Sequence, residues 1–165
     1  LRSWREIVYP RNCYMDDDIR FMRRAIAEAE RSLRNGDHGF GAVIVRDGEM
    51  IFSACDSDTT DRDPTAHAEM IAITQAASAL ADWRLTDTVL YVTKEPCPMC
   101  AGAIVAARVP LVVWGMTDPL RGGSVSLFNT FQNPNLNHRV DHIAGVLEQE
   151  CKELVQEFFK GRRAT

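Results

Sequence analysis

Between Asp16 and Arg34 the apolar residues Ile19, Met22, Ile26, Ala29 and Leu33 recur at steps of three and four, the spacing that lines one face of an α-helix. Acidic residues at its start and Gly36 past its end mark the boundaries. The period then changes. Residues 41–46 and 49–54 are apolar runs separated by Asp47-Gly48, which predicts a β-hairpin closed by a tight turn. Polar residues 56–63 predict a loop, and Asp63-Pro64 supplies a cap and first turn for a second helix running to about Leu80. Further along, the pattern predicts a strand over 88–93, a helix over 97–107 and a strand over 109–114. A connection rich in Gly, Ser and Asn over 118–137 leads to a strand over 142–147. The last helix, 148–160, is expected to bury Cys151, Leu154, Val155, Phe158 and Phe159. A helix, a hairpin and then alternating helices and strands imply an α/β fold, with a central mixed sheet covered by helices on both faces.

Composition narrows the class. A chain of 165 residues that is 45% hydrophobic is long enough to bury one sizeable core without disulfide support. The five cysteines are odd in number and contain one close pair, Cys97 and Cys100, which does not suit a secreted disulfide framework and points to the cytoplasm. No stretch is long and uncharged enough to cross a bilayer, so no membrane partner is expected. Residues 1–14 are expected to form an arm outside one domain spanning 15–163. A net charge of −4 argues against a surface coated with nucleic-acid-binding charge. It leaves room for a local basic patch such as Lys152, Lys160, Arg162 and Arg163, whose simplest reading is a solvated helix face.

The chemistry is carried by three side chains. His67 falls at one predicted helix start, and Cys97 and Cys100 fall at another, three positions apart and therefore on one face. Helix dipoles favour thiolate at such positions, and one imidazole with two thiolates can hold a tetrahedral zinc whose fourth position stays open to water. That is the catalytic arrangement. Glu69, two residues past His67, faces away from the ligand direction and is placed to carry protons beside the water. His38, His138 and His142 lack a partner at ligand spacing, and Cys13, Cys55 and Cys151 read as small buried hydrophobes.

His67-Ala68-Glu69 followed by Pro96-Cys97-Pro98-Met99-Cys100 resembles the signature of zinc deaminases. With Asp63-Pro64-Thr65-Ala66 before it and Ala101-Gly102-Ala103 after it, the sequence resembles the cytidine deaminase superfamily, and within it the bacterial tRNA adenosine deaminases. Trp83-Arg84-Leu85, Asn137-His138-Arg139-Val140, Gly145-Val146-Leu147 and Glu150-Cys151 extend the resemblance over about Asp16 to Arg163. It implies a three-layer α/β/α sandwich around a five-stranded mixed sheet, a homodimer, and one zinc per chain on His67, Cys97 and Cys100. It also implies conversion of a tRNA wobble adenosine to inosine, with Glu69 shuttling protons and the backbone around Glu95, Pro96 and Cys97 polarising the intermediate. Phe40, Asp56, Ala66 and Asp118 complete the expected substrate contacts, Asp118 near the ribose of the anticodon loop. Lys160, Arg162 and Arg163 would hold tRNA backbone.

Three departures bear on the substrate. Asp56 stands where the family carries an asparagine, Gly39 where it carries a proline, and Leu120 where a lysine is usual. An amide both donates and accepts, whereas an ionised carboxylate only accepts. His38-Gly39-Phe40-Gly41 is similar to the matching stretch of guanine deaminases, and Phe40 offers a face on which a small ring can stack. Deamination of a free base or nucleoside, such as guanine or cytosine, is therefore an alternative to the tRNA reading. A third reading is a zinc-containing scaffold or RNA-binding protein without catalysis, for which Glu69 would have no use.

Overall fold

The structure is a computed structural model that describes the backbone of residues 14–163 and the side chains of residues 16–160. Its strands are β1 (Gly41–Arg46), β2 (Glu49–Cys55), β3 (Thr88–Lys94), β4 (Leu111–Met116) and β5 (Asp141–Ala144). They form one sheet in the order β2-β1-β3-β4-β5. β1 is antiparallel to β2 and β3, and β3, β4 and β5 run parallel, so the sheet is mixed. The helices are α1 (Tyr14–Asn35), α2 (Asp58–Asp61), α3 (Ala68–Leu80), α4 (Pro98–Ala106) and α5 (Glu148–Arg163).

Alternation along β1 explains the layers. Ala42 and Ile44 pack on one face with Ala72 of α3 and Ile104 of α4. Val43 and Val45 pack on the other with Met22 of α1 and Leu154 of α5. Successive strand residues point to opposite faces, and apolar surface left in water costs roughly 25 cal/mol per Å², so both faces must be covered. The result is the α/β/α sandwich that the pattern implied. At the hairpin tip Asp47 and Gly48 both take positive φ, 53° and 76°, the geometry that matches the twist of paired strands. The pairing carries a β-bulge: Arg46 faces Glu49 and Val45 faces Met50, but Ile44 faces Phe52.

Several boundaries differ from expectation. The Asp63 carboxylate accepts from the N–H and hydroxyl of Thr65 (2.8 and 2.7 Å) in a local turn instead of capping a helix. Helix α3 therefore begins at Ala68, with His67 as its N-cap, and the short α2 occupies the predicted loop. β4 starts at Leu111 rather than 109 because the Val109 N–H closes the end of α4 on the Ile104 carbonyl (3.2 Å). β5 stops at Ala144, where Gly145 turns to φ 88°. On α5, Cys151 and Leu154 are buried, Val155 and Phe158 are half-buried, and Phe159 is exposed. Adjacent helical residues point about 100° apart, so Phe158 and Phe159 cannot share the buried face. Of the expected arm, Tyr14 opens α1 and residues 1–13 lie outside the described residues. No helix among the described residues is long and apolar enough to cross a membrane.

The long connection after β4 is tied down by one buried acid. Glu95, 2% exposed just past β3, accepts from Val125 N–H and Ser126 N–H on Oε1 (3.0 and 2.9 Å). Its Oε2 accepts from Asp118 N–H and the Ser126 hydroxyl (3.0 and 2.6 Å). Burial pushes the carboxyl up, but the Ser126 hydroxyl and the three N–H groups outweigh it and hold the group below its ordinary range. Gly122 and Gly123 permit the approach, since a Cβ on Gly122 would lie 2.4 Å from the Glu95 carboxylate carbon and one on Gly123 would lie 2.3 Å from Pro98 N. Because donors converge on both oxygens, Glu95→Gln must turn an amide N–H₂ toward donors whichever way it faces. We expect it to cost roughly 1.5–3 kcal/mol in urea unfolding and to speed amide exchange at Val125 and Ser126; wild-type exchange there would show that the clamp does not hold the loop.

Candidate metal centre and cleft

The topology brings the candidate residues to one edge of the sheet. β3 and β4 end at this edge in Lys94 and Met116, and antiparallel β1 starts there, just after Phe40. β2 ends there at Cys55, just before Asp56. Crevices outside the carboxyl ends of parallel strands are the usual ligand sites of open α/β sheets. Here the crevice is lined by Phe40, Asp56, His67, Glu69, Cys97 and Asp118 among others.

Two helices start at this crevice. His67 is the N-cap of α3 and Cys97 the N-cap of α4, both in extended backbone, and neither side chain caps its own helix. Instead they turn toward each other: His67 Nδ1 lies 3.7 Å from Cys97 Sγ and 3.6 Å from Cys100 Sγ. The three donor atoms all lie within 4.8 Å of one another. With Zn–S near 2.3 Å and Zn–N near 2.05 Å, tetrahedral zinc requires an S···N separation of about 3.6 Å. The residues fit the metal. Their proton affinities are those of a coupled set: the Cys97 thiol is held down to about 4, first by the Cys100 thiol and then, against burial, by His67. Cys100 is pushed up by Cys97, and His67 is raised to about 9, chiefly by Cys97. The direction for Cys97 favours thiolate, the form that binds a metal.

Glu69, on the first turn of α3, is 8% exposed and lines the cleft. Burial pushes its carboxyl up from the ordinary carboxylate range. Asp118 is paired with Lys94 (2.6 Å), whose ammonium lies 5.0 Å over the Phe40 ring.

Not every expected contact reaches the cleft. Ala66 and Pro96 are not among its lining residues: the Ala66 carbonyl accepts from Ser57 N–H, and the Pro96 carbonyl accepts from Gly123 N–H (3.0 and 2.9 Å). Glu95 borders it, but its carboxylate serves the loop and its N–H donates to the Met116 carbonyl (2.8 Å). Since proline has no N–H, Cys97 carries the remaining backbone donor of that stretch. Lys160 is exposed on α5 and is not a lining residue, while the side chains of Arg162 and Arg163 lie outside the described residues. Cys55 and Cys151 are buried as expected, and Cys13 lies outside the described residues.

Sequence reasoning missed His38 and Asp58. His38 Nδ1 lies 2.8 Å from Asp58 Oδ1 and 3.3 Å from Asp56 Oδ2, and its ring packs between Phe40 and Phe158. Asp56 is 2% exposed, and burial, reinforced by the Asp58 charge, raises its carboxyl to about 7. The signal was indirect: Asp56 N–H donates to the Phe40 carbonyl (3.0 Å) just past the end of the hairpin, and this keeps the segments carrying His38 and Asp58 close together.

Comparison with known proteins agrees with this geometry. Residues 15–116 match the cytidine and deoxycytidylate deaminase zinc-binding region. A tRNA-specific adenosine deaminase of Bacillus subtilis is 44% identical over 149 residues, covering 90% of this chain and 92% of its own. One from Aquifex aeolicus is 45% identical over 143 residues, covering 87% and 94%. A solved structure from work on tRNA:A34 deaminases that edit the wobble position superposes with a TM-score of 0.79 at 38% identity, covering 82% of this chain and 98% of that one. A guanine deaminase from Nitrosomonas europaea, 19% identical with a TM-score of 0.73 and coverage of 83% and 81%, shares the fold. With the two helix starts, their imidazole and two sulfurs, and the sheet behind them all accounted for, the chain belongs to the cytidine and deoxycytidylate deaminase family.

Proposed function

We propose that this chain is a zinc-dependent hydrolytic deaminase that converts the wobble adenosine of a tRNA to inosine and releases ammonia. The observation that carries the chemistry is a buried carboxyl, Glu69, in the same cleft as a three-donor set of zinc geometry. The substrate follows the relatives that cover nine-tenths of the chain. His67, Cys97 and Cys100 would hold one zinc per chain; when bound, it supplies a nucleophile by lowering the pKa of water toward about 7.

The rest is work for the protein's own groups. Glu69 takes the proton of the attacking water and delivers it to the ring nitrogen. It then carries the second proton to the departing amine, so that the C–N bond breaks with loss of neutral ammonia. Its burial supports this role, because a carboxyl raised from its ordinary value holds the proton between the two transfers. Phe40 offers a face for the ring, and the Cys97 N–H is the stretch's donor for charge that develops during attack. Asp118 stands at the cleft where the ribose would enter. The same reading includes a homodimer, for which the exposed Leu127 and Phe128 offer apolar surface.

A second reading, deamination of a free base or nucleoside, is favoured by Asp56, a carboxyl where the relatives' pattern has an amide. Ammonia release from a panel of free guanine, free cytosine, adenosine and an anticodon stem–loop separates the two, and turnover of free bases alone would overturn the tRNA assignment. Glu69→Ala is expected to keep its zinc by elemental analysis while losing roughly 10²–10⁴-fold in turnover; an active variant would remove Glu69 from the mechanism. Cys97→Ala is expected to weaken zinc by more than the roughly 10–100-fold that loss of an outer partner causes. Full metal content in that variant would place the zinc elsewhere.

A further inference from the structure

The mouth of the cleft carries a cation that the deamination chemistry does not use. Arg121 lines the cleft and is exposed, three residues beyond Asp118. Its neighbour Lys94 is committed, paired with Asp118 at 2.6 Å. Among the described residues Arg121 has no carboxylate partner, although Asp56, Asp58 and Asp118 all border the same opening.

The backbone that carries Arg121 is fixed. Asp118 Oδ1 accepts from the N–H groups of Leu120 and Arg121 (both 3.1 Å), and the Asp118 carbonyl accepts from Gly122 N–H (2.8 Å). Glu95 holds the two ends of the loop, and Gly123 N–H is bonded to the Pro96 carbonyl (2.9 Å). The fixed backbone holds the base of this side chain at the cleft mouth, within reach of whatever enters, so no entropy is lost to loop ordering when it binds. Leu120, 83% exposed, brings no charge, and the positive charge of this stretch lies one residue later.

Acidic groups at the opening repel a phosphorylated substrate unless a cation answers them. A guanidinium answers with two parallel N–H donors suited to phosphate oxygens. We propose that Arg121 is a specificity residue that binds the phosphoryl group attached to the nucleotide whose base enters the cleft. This rests on the nucleobase-deaminase reading above and adds a preference for phosphorylated over unphosphorylated substrates. The phosphoryl group can be the end of a mononucleotide or a phosphodiester within RNA.

The test uses the zinc-loaded full chain and the variants Arg121→Ala and Arg121→Lys. Turnover is measured on adenosine, adenosine 5′-monophosphate and an anticodon stem–loop bearing a wobble adenosine. Binding of the stem–loop is measured by fluorescence anisotropy in the Glu69→Ala background over a range of salt. Arg121→Ala is expected to lower the ratio of kcat/KM for stem–loop over adenosine about tenfold, mostly through KM. It should also flatten the plot of log K against log salt by about 0.7, the value of one lost contact to single-stranded phosphate. Arg121→Lys should restore the salt slope but only part of the ratio. A parallel fall with the monophosphate assigns the terminal phosphate, and a fall confined to the stem–loop assigns the phosphodiester. An unchanged ratio and slope in an RNA-active wild type overturns the role of Arg121 alone. A wild type that turns over no wobble adenosine overturns the tRNA reading, and one that turns over only unphosphorylated substrates overturns both.

Discussion

Everything at the active edge depends on two helix N-termini meeting. One imidazole and two sulfurs can converge to zinc distances only if α3 and α4 begin side by side, and neither helix supplies all three donors. The sheet enforces the meeting. β3 feeds α4 directly, and the hairpin of β1 and β2, antiparallel to β3, delivers the chain back to the same edge before α3 begins. The two large apolar clusters on either side of the sheet thus act as the frame that sets distances between donors. Core packing at close to crystalline density gives such a frame little freedom to drift.

A second constraint joins the metal side of the cleft to its outer wall. Glu95 lies two residues before Cys97, and its carboxylate gathers the N–H groups of a segment some thirty residues further along the chain. Gly122 and Gly123 then let that segment press on Glu95 and on the first residues of α4. The loop is long by the standard of connections in small domains, yet its segment against the metal helix is bonded from several directions. Precision on the substrate side is therefore borrowed from the same peptide stretch that presents the sulfur ligand.

How much of this was legible depends on how far a signal reaches along the chain. His67, Glu69, Cys97 and Cys100 were readable because their spacing is local to helix starts, and the hairpin because Asp-Gly fixes its turn. The cap at Asp63 was misread: the same side chain satisfies a cap and a tight turn, and only the following backbone decides which forms. Phe159 was assigned to the core on hydrophobicity, although its neighbour Phe158 had taken the inward direction. His38 was passed over as lacking partners, since its partners, Asp56 and Asp58, come from the segment that follows the hairpin's second strand. Where the paired register ends depends on the bulge between Ile44 and Val45: it runs out at Gly41 opposite Cys55, and beyond it Gly39 takes φ 79° and Asp58 opens α2. A one-residue irregularity of that kind leaves no mark in residue type.

That bulge bears on the shape of the cleft. β2 is the outermost strand of the sheet, so inserting or removing one residue there would slide its far end, and with it Asp56 and the lead into α3, while β3, β4 and the start of α4 keep their places. The cleft thus has one firm wall, where Cys97 stands, and one wall that follows the register of the hairpin, where Asp56 and His67 stand.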